Sequence, residues 1–137
     1  MATGFAQKAS TPLSRPAARL AGTSAWVRGL QGRAGTTESN RLQVLMELQA
    51  DCYAGVWAHH ANRRDQVLEE GDVGEGLAAA AAIGDDRLQS QAGRTVRPES
   101  FTHGTSAQRQ EWLMIGLRSG DVDQCDSFGQ AGYVRTR

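Results

Sequence analysis

Residues 46–61 read MELQADCYAGVWAHHA, and their apolar side chains recur at intervals of three and four positions. This spacing is typical of an α-helix with one buried face, because about 3.6 residues complete a turn. The pattern begins near Thr37 and continues to about Arg63, so we predict one long helix over this range. The side chains predicted to face its core are Leu42, Leu45, Cys52, Tyr53 and Val56.

Two acids, Glu47 and Asp51, lie four positions apart on another face of this helix. The small side chains around them are Ala50, Ala54, Ala58 and Ala61. A solvated face tolerates two such acids, since their repulsion is only roughly 0.2–0.5 kcal/mol. Alanine, however, lets a second helix approach closely, and a carboxylate in such an interface needs a cation, a histidine or a metal. We therefore predict a positively charged group on a neighbouring helix over Glu47 and Asp51, with the solvated face as the alternative.

Two more helices are predicted after the first. One follows Gly71, where Asp72 and Glu75 have the spacing of a capping box, and it continues through the stretch GLAAAAAIGDDRLQ. The other begins at Thr105-Ser106-Ala107-Gln108, a second box-like start, and ends at Gly120.

The sequence therefore predicts an all-α fold with three main helices and no strands. Residues 1–35 are predicted to be a disordered or loop-like leader with one short helix at about 25–30. Residues 36–128 form the helical part, and residues 129–137 form a tail.

Charge is distributed unevenly along the chain, although its net value is zero. Residues 1–37 contain five basic side chains and no acids, which is typical of either a transit peptide or a disordered tail. Five scattered cations without interleaved aromatic residues argue against nucleic-acid binding. The longest apolar run, from Leu77 to Ile83, is far shorter than the roughly 18 residues that span a bilayer, so we expect no membrane insertion by this chain.

Cysteines and histidines offer no recognisable metal motif by themselves. Cys52 and Cys125 are too far apart in sequence for a C-x-x-C zinc site, and they are either a disulfide pair or two unrelated buried thiols. His59 and His60 point away from the two acids and are interpreted as surface or core-edge residues. His103, just before the third helix, has either a helix-start role or a ligand role.

Three stretches, taken together, resemble the C-terminal half of the neutral zinc metallopeptidases of bacteria. They are ELQADCYAGVWAHHA, LEEGDVGEGLAAAAAIGDDRLQ, and PESFTHGTSAQRQEWLMIGLRSGD followed by QCDSF. The resemblance covers residues 21–128 in one order and spacing. It implies an enzyme that hydrolyses peptide bonds with a zinc-activated water, and hence a peptide or protein substrate in intact relatives.

The resemblance also assigns roles to the two acids. Glu47 matches the third, acidic zinc ligand of the family, and Asp51 matches a carboxylate that orients a ligand histidine. A bound zinc would then be the cation that the acid pair is predicted to need. Intact relatives usually carry an N-terminal membrane anchor, which the resemblance does not extend to this chain, and its compartment stays open.

One part of the family pattern is missing. The motif H-E-x-x-H, which supplies two histidine ligands and the general base, occurs nowhere in the sequence. Its expected flanks resemble Phe5-Ala6-Gln7 and Leu20-Ala21-Gly22-Thr23-Ser24, but KASTPLSRPAAR stands between them. We therefore expect this chain to be inactive alone and not to hold zinc stably. It is either a truncated or frameshifted product of a metallopeptidase gene or, alternatively, a non-catalytic helical protein-interaction module.

Overall fold

A computed structural model describes the backbone of residues 15–135 and the side chains of residues 22–135. Its helices are α1 (Arg15–Gln31), α2 (Thr36–Asp65), α3 (Asp72–Ala82), α4 (Asp85–Gln91), α5 (Ser106–Ser119) and α6 (Ser127–Gln130). Two 3₁₀ turns cover Pro98–Ser100 and Val122–Gln124. The described range contains no strand, so the predicted all-α class is confirmed. None of its helices is both long and apolar enough to cross a bilayer.

Helix α2 is the centre of the fold, and α5 lies against it more extensively than any other element. The two backbones approach closely where Gly55 meets Gly116. A methyl group on Gly116 would overlap the Cys52 carbonyl, and one on Gly55 would overlap the Leu113 carbonyl. Only glycine fits at both positions, since any Cβ would push the helices apart.

The predicted core face of α2 is confirmed. Its five predicted side chains are all buried. They divide between two clusters, one shared with Trp112 of α5 and Cys125, and one shared with Val27 of α1 and Phe128 of α6. One long helix therefore supplies the apolar surface on which α1, α5 and α6 pack.

Cys52 and Cys125 form a disulfide, which resolves the two alternatives left by the sequence. The bond joins the middle of α2 to the segment after α5 across a sequence separation of 73 residues. Both cysteines are almost completely buried in the α2–α5 cluster. The disulfide therefore fixes the C-terminal segment to the same part of α2 that α5 covers.

The structure corrects the prediction for residues 15–35. Instead of a loop with a short helix at about 25–30, α1 runs from Arg15 to Gln31. Pro16 is compatible with this helix because it lies in the first turn, where the missing N–H has no helical partner. Val27 packs against Leu42 and Phe128, and this tertiary contact stabilises a helix that local pattern did not predict. The predictions for residues 1–14 lie outside the described residues.

The predicted second helix is divided in two. It breaks at Ile83 and Gly84, and α4 begins at Asp85. Gly84 packs directly on Ser106, where a Cβ would overlap the Ser106 backbone. The backbone N–H of Asp85 donates to the Gly104 carbonyl at 2.8 Å. The break therefore lets the α3–α4 corner pair with the loop before α5.

Helix-end predictions were right for α5 and wrong for α3. Thr105 and Gln108 form the predicted capping box, and Gly120 ends α5 in the left-handed conformation. In α3 the N-cap is Gly71, without a side-chain cap bond. The carboxylate of Asp72 instead accepts the backbone N–H of Glu69 at 2.8 Å. Gly71 has a positive φ, and α3 begins at Asp72, one residue earlier than predicted. The Asp72 side chain therefore stabilises the turn before the helix instead of capping it.

Reducing the disulfide should lower the free energy of unfolding by about 4 kcal/mol, because the unfolded chain regains the entropy of a loop of 73 residues. Urea unfolding followed by circular dichroism, with and without a reductant, measures the difference. The double variant Cys52→Ala/Cys125→Ala should match the reduced protein and should not respond to the reductant. Equal midpoints for oxidised and reduced wild type would contradict the prediction.

Gly116→Ala should destabilise the protein by about 3 kcal/mol or more, because the new methyl group meets the α2 backbone and α5 must move away. Gly74→Ala in α3 is the matched control, since no atom lies within 4 Å of its Cβ position. The control should raise stability by about 0.5–1 kcal/mol through helix propensity. Similar thermal midpoints for the two variants would show that the crossing is not tight.

Candidate functional site

The two acids of α2 share one cation, Arg109 of α5. Arg109 Nε donates to Asp51 Oδ2 and Nη2 donates to Asp51 Oδ1, each at 2.7 Å. Arg109 Nη2 also lies 3.6 Å from Glu47 Oε2. The prediction of a positively charged group on a neighbouring helix is therefore confirmed, and the solvated alternative is wrong for Asp51.

This arrangement contradicts the expectation that a bound zinc is the cation that the acid pair needs, because Arg109 supplies that charge within the chain. Asp51 already has a cation within the chain, so two acids among small side chains do not by themselves indicate zinc. The sequence reasoning missed Arg109, although a signal was present. Arg109, Trp112 and Gly116 recur at helical spacing on the face of α5 that turns toward α2, and a basic residue on such a face needs an acidic partner.

Arg109 is held in a buried environment. Its residue exposure is 5%, and α5 presents it next to Trp112, which is buried in the main core cluster. The hydrogen bonds to Asp51 raise the pKa of the Arg109 guanidinium, burial acts in the opposite direction, and the negative charges of Asp51, Glu47 and Asp85 raise the pKa further. The net change is upward, so the guanidinium remains positively charged beside Asp51.

Glu47 lies farther from the Arg109 guanidinium than Asp51 does. Its Oε1 accepts from Gln43 Nε2 at 3.3 Å, and its closest approach to Arg109 is the 3.6 Å contact. The Glu47 side chain is 30% exposed, compared with 15% for Asp51. Glu47 therefore has free coordination capacity toward an incoming group, whereas both Asp51 oxygens are already engaged.

The alanine face beside Glu47 is only partly covered by the described residues, and Ala54 is its exposed member. Ala54 is exposed, Ala50 and Ala58 are half-buried, and Ala61 is buried. Trp57 lies at the edge of this face with an exposed fraction of 71%. Helix α5 packs on the adjacent face through Gly55 and leaves Ala54 exposed.

The two histidines near the C-terminal end of α2 have structural contacts. His59 Nδ1 lies 2.8 Å from the Leu117 carbonyl, and His60 Nε2 lies 2.7 Å from the Gly120 carbonyl. Both rings therefore bind carbonyl groups at the end of α5. This agrees with the prediction that they are surface or core-edge residues.

His103 belongs to a loop that is anchored by Asp85. The Asp85 carboxylate, which is buried, accepts the backbone N–H groups of Thr102, His103 and Gly104 at 2.6–3.0 Å. The His103 ring lies 3.3 Å from the other Asp85 oxygen. Of the two roles predicted for His103, its contacts place it in the turn that leads into α5.

Asp86 completes this anchor from the same helix. Its Oδ1 accepts the backbone N–H of Ser106 at 2.8 Å and the Ser106 hydroxyl at 3.1 Å. Burial by itself would raise the pKa of the Asp86 carboxyl, but hydrogen bonds from Ser106 and from nearby backbone N–H groups outweigh it and lower the pKa. Together Asp85 and Asp86 hold the first turn of α5, and thereby the position of Arg109.

Comparison with known protein families assigns the chain to one of them. A family model described as "putative neutral zinc metallopeptidase" matches residues 15–128. The chain belongs to this family. The match begins in α1 and ends in α6, so it includes Glu47, Asp51 and Arg109.

Relatives of the chain occur in Escherichia coli and in Mycobacterium tuberculosis. The chain is 55% identical over 113 residues to the uncharacterized protein YpfJ of Escherichia coli, an alignment that covers 82% of this chain and 39% of that protein. It is 45% identical over 113 residues to the uncharacterized protein Rv2575 of Mycobacterium tuberculosis, covering 76% and 36%. The chain thus spans about two fifths of the length of these relatives. No solved structure matches the chain.

The family name implies zinc, and the described residues do not make a complete site for it. Within residues 15–135, no group of three histidine, cysteine, aspartate or glutamate side chains could hold a metal ion. A catalytic zinc takes three protein ligands, so Glu47 with its neighbour Asp51 is insufficient. Arg109 also compensates the charge of Asp51, so the pair offers a metal ion less than two free carboxylates would.

Arg109→Met should lower the free energy of unfolding by about 3–5 kcal/mol, because it leaves the largely buried Asp51 carboxylate without its partner. Arg118→Met, at an exposed position of the same helix, is the control and should change stability by less than about 0.5 kcal/mol. Chemical unfolding of both variants measures the difference. Equal midpoints would show that the ion pair does not stabilise the α2–α5 contact.

Proposed function

We propose that this chain is the C-terminal part of a neutral zinc metallopeptidase and that it is not catalytic alone. Family membership of residues 15–128 supports the first half of the proposal. The absence of H-E-x-x-H from the sequence supports the second half, because the family resemblance places two zinc ligands and the general base in that motif. The substrate of an intact relative would be a peptide or protein.

Glu47 is the residue that we propose as the acidic zinc ligand of the intact enzyme. The observation that carries this assignment is the asymmetry between the two acids. Both oxygens of Asp51 accept from Arg109, whereas Glu47 makes only long polar contacts and lies beside the partly exposed alanine face. A helix bearing histidines could approach that face closely, since its side chains are small.

Asp51 has a supporting role in this proposal. Each carboxylate oxygen can accept more than one hydrogen bond, so Asp51 could accept from a ligand histidine while it remains bound to Arg109. Arg109 would then fix the orientation of Asp51. This would combine the structural ion pair with the role that the family resemblance assigns to Asp51.

The purified chain should contain far less than one equivalent of zinc and show no chelator-sensitive peptidase activity. The physical reason is that Glu47 and Asp51, next to Arg109, offer too few ligands. Elemental analysis after dialysis against micromolar zinc, together with hydrolysis of a fluorogenic peptide library, measures both quantities. One tightly bound zinc with activity that disappears in EDTA would overturn the proposal.

The coding DNA offers the sharpest test of the role of Glu47. Translation between Phe5 and Ser24 in the other two frames should reveal an H-E-x-x-H motif. In the protein produced by restoring that frame, Glu47→Gln should weaken zinc binding by at least about tenfold, while Glu111→Gln on the exposed side of α5 should leave it unchanged. Equal zinc affinity of the two variants would exclude Glu47 as a ligand.

A second function is favoured by one observation, the exposed Trp57. An indole that is 71% exposed beside Ala54 and Ala58 is typical of a protein-interaction surface. On this hypothesis the chain is a non-catalytic helical module that binds a partner helix over the Glu47 face without a metal. The absence of H-E-x-x-H from all three frames of the coding DNA would favour this alternative.

A further inference from the structure

A cavity of about 390 Å³ lies against the segment that joins α4 to the 3₁₀ turn at Pro98–Ser100. Its described lining residues are Gln89, Arg94, Thr95, Arg97 and Ser100. They belong to α4 and to the segment that follows it, whereas the acid pair and Arg109 lie on α2 and α5. A ligand in this cavity therefore does not depend on the proposed peptidase function.

Gln89 holds the backbones of the two arginines at this cavity. Its carbonyl oxygen accepts the N–H of Arg94 at 2.9 Å, and its side-chain Oε1 accepts the N–H of Arg97 at 2.8 Å. Its Nε2 donates to the Ser100 hydroxyl at 3.0 Å, and this hydroxyl donates to the Arg97 carbonyl at 2.8 Å. Residues 94–97 have no regular secondary structure. One residue of α4 therefore fixes both arginines in a segment that no helix supports.

The two guanidinium groups have no counter-charge from the chain. Arginine is positively charged at physiological pH, and the described lining residues of the cavity include no acid. Neither Arg94 nor Arg97 makes an ion pair with another residue in the range 22–135. Two positive charges at one cavity repel each other, and an anion between them removes this repulsion. The charge of the cavity therefore selects an anionic ligand.

The cavity is accessible and suits a tetrahedral anion with several oxygens. Residues 91–100 are all exposed, so a ligand reaches both arginines from solvent. A guanidinium presents parallel N–H groups that bind two oxygens of a phosphate at once. The hydroxyl of Thr95, between the two arginines in sequence, is a further donor. A phosphate dianion matches both the charge and the number of these donors, whereas a carboxylate has one charge and two oxygens.

We propose that this cavity binds a phosphate dianion, either free orthophosphate or the phosphate monoester headgroup of a lipid. Arg94 and Arg97 donate hydrogen bonds to its oxygens, and Thr95 supplies a third donor. Gln89 does not touch the anion and acts as a positioning residue, because it fixes the backbones of both arginines.

Titration of ¹⁵N-labelled protein with orthophosphate at constant ionic strength tests the proposal. The side-chain Nε–H signals of Arg94 and Arg97 and the backbone signal of Thr95 should shift together and saturate. The dissociation constant should be on the order of millimolar, because exposed ionic contacts contribute little affinity. Acetate should bind at least about fivefold more weakly, since it carries one charge.

Four variants separate a built site from general attraction by positive charge. Arg94→Gln and Arg97→Gln should each weaken phosphate binding at least about fivefold, because each removes one charge and one fork of donors. Gln89→Met leaves the charge unchanged and should weaken binding about two- to fivefold, because the arginines are no longer fixed. Arg87→Gln removes an exposed charge on α4 outside the cavity, and it should change affinity by less than about twofold.

Vesicles distinguish the two sources of phosphate. Phosphatidylcholine vesicles that contain phosphatidic acid present a monoester dianion, whereas those that contain phosphatidylglycerol present a diester with one charge. Sedimentation with the first but not the second, lost in Arg97→Gln, indicates a lipid headgroup. Saturable binding of orthophosphate without sedimentation indicates free phosphate. Zinc content and peptidase activity are measured separately, so failure of the proposed peptidase function leaves this test intact.

Three outcomes would overturn the proposal. The first is the absence of a saturable shift with orthophosphate. The second is acetate binding as tight as phosphate binding, and the third is an effect of Arg87→Gln as large as that of Arg97→Gln. Unchanged affinity in Gln89→Met, with a native circular dichroism spectrum, overturns the positioning role of Gln89. If Gln89→Met does not fold, the two exposed arginine variants still decide whether the site exists.

Discussion

The close contact between α2 and α5 determines where the polar groups of the candidate site lie. Gly55 and Gly116 let the two backbones touch, and a side chain at either position would separate them. At this distance, Arg109 reaches both oxygens of Asp51, and His59 and His60 reach carbonyl groups at the far end of α5. The ion pair and the glycine crossing therefore support each other, since a buried charge pair requires a fixed geometry.

The same contact makes two neighbouring acids chemically different. Both oxygens of Asp51 accept from a bidentate arginine and the side chain is more buried, whereas Glu47 is partly exposed and makes only long contacts. Of these two carboxylates, which lie one helical turn apart, Asp51 therefore has a structural partner and Glu47 is available to a ligand. In a metallopeptidase family, that division suits a supporting acid and a ligand acid, which is why the proposed function rests on Glu47 rather than on the pair.

The acid pair also shows which part of a contact can be predicted from the sequence of one helix. A carboxylate in a tight interface needs a counter-charge, and this physical requirement was correct. The identity of the counter-charge could not follow from α2, because a guanidinium and a metal ion satisfy the same requirement. Arg109 is 58 positions away from Asp51, and only the packing of α5 brings them together. The buried amide of Gln49 is a similar case, because it donates to the Cys125 carbonyl, which lies 76 positions away in the sequence.

The sequence by itself determined the helical class, the extent and core face of α2, the capping box and glycine end of α5, and the family of the chain. These features are local, because helical periodicity, helix caps and the order of motifs depend on residues that are close in the sequence. Only the tertiary structure decided that α1 extends from Arg15, that Gly84 divides the second predicted helix, that Cys52 pairs with Cys125, and that Arg109 is the cation over Asp51. Each of these depends on a contact between segments distant in sequence, where the energy of packing outweighs local propensity and no local pattern records the partner.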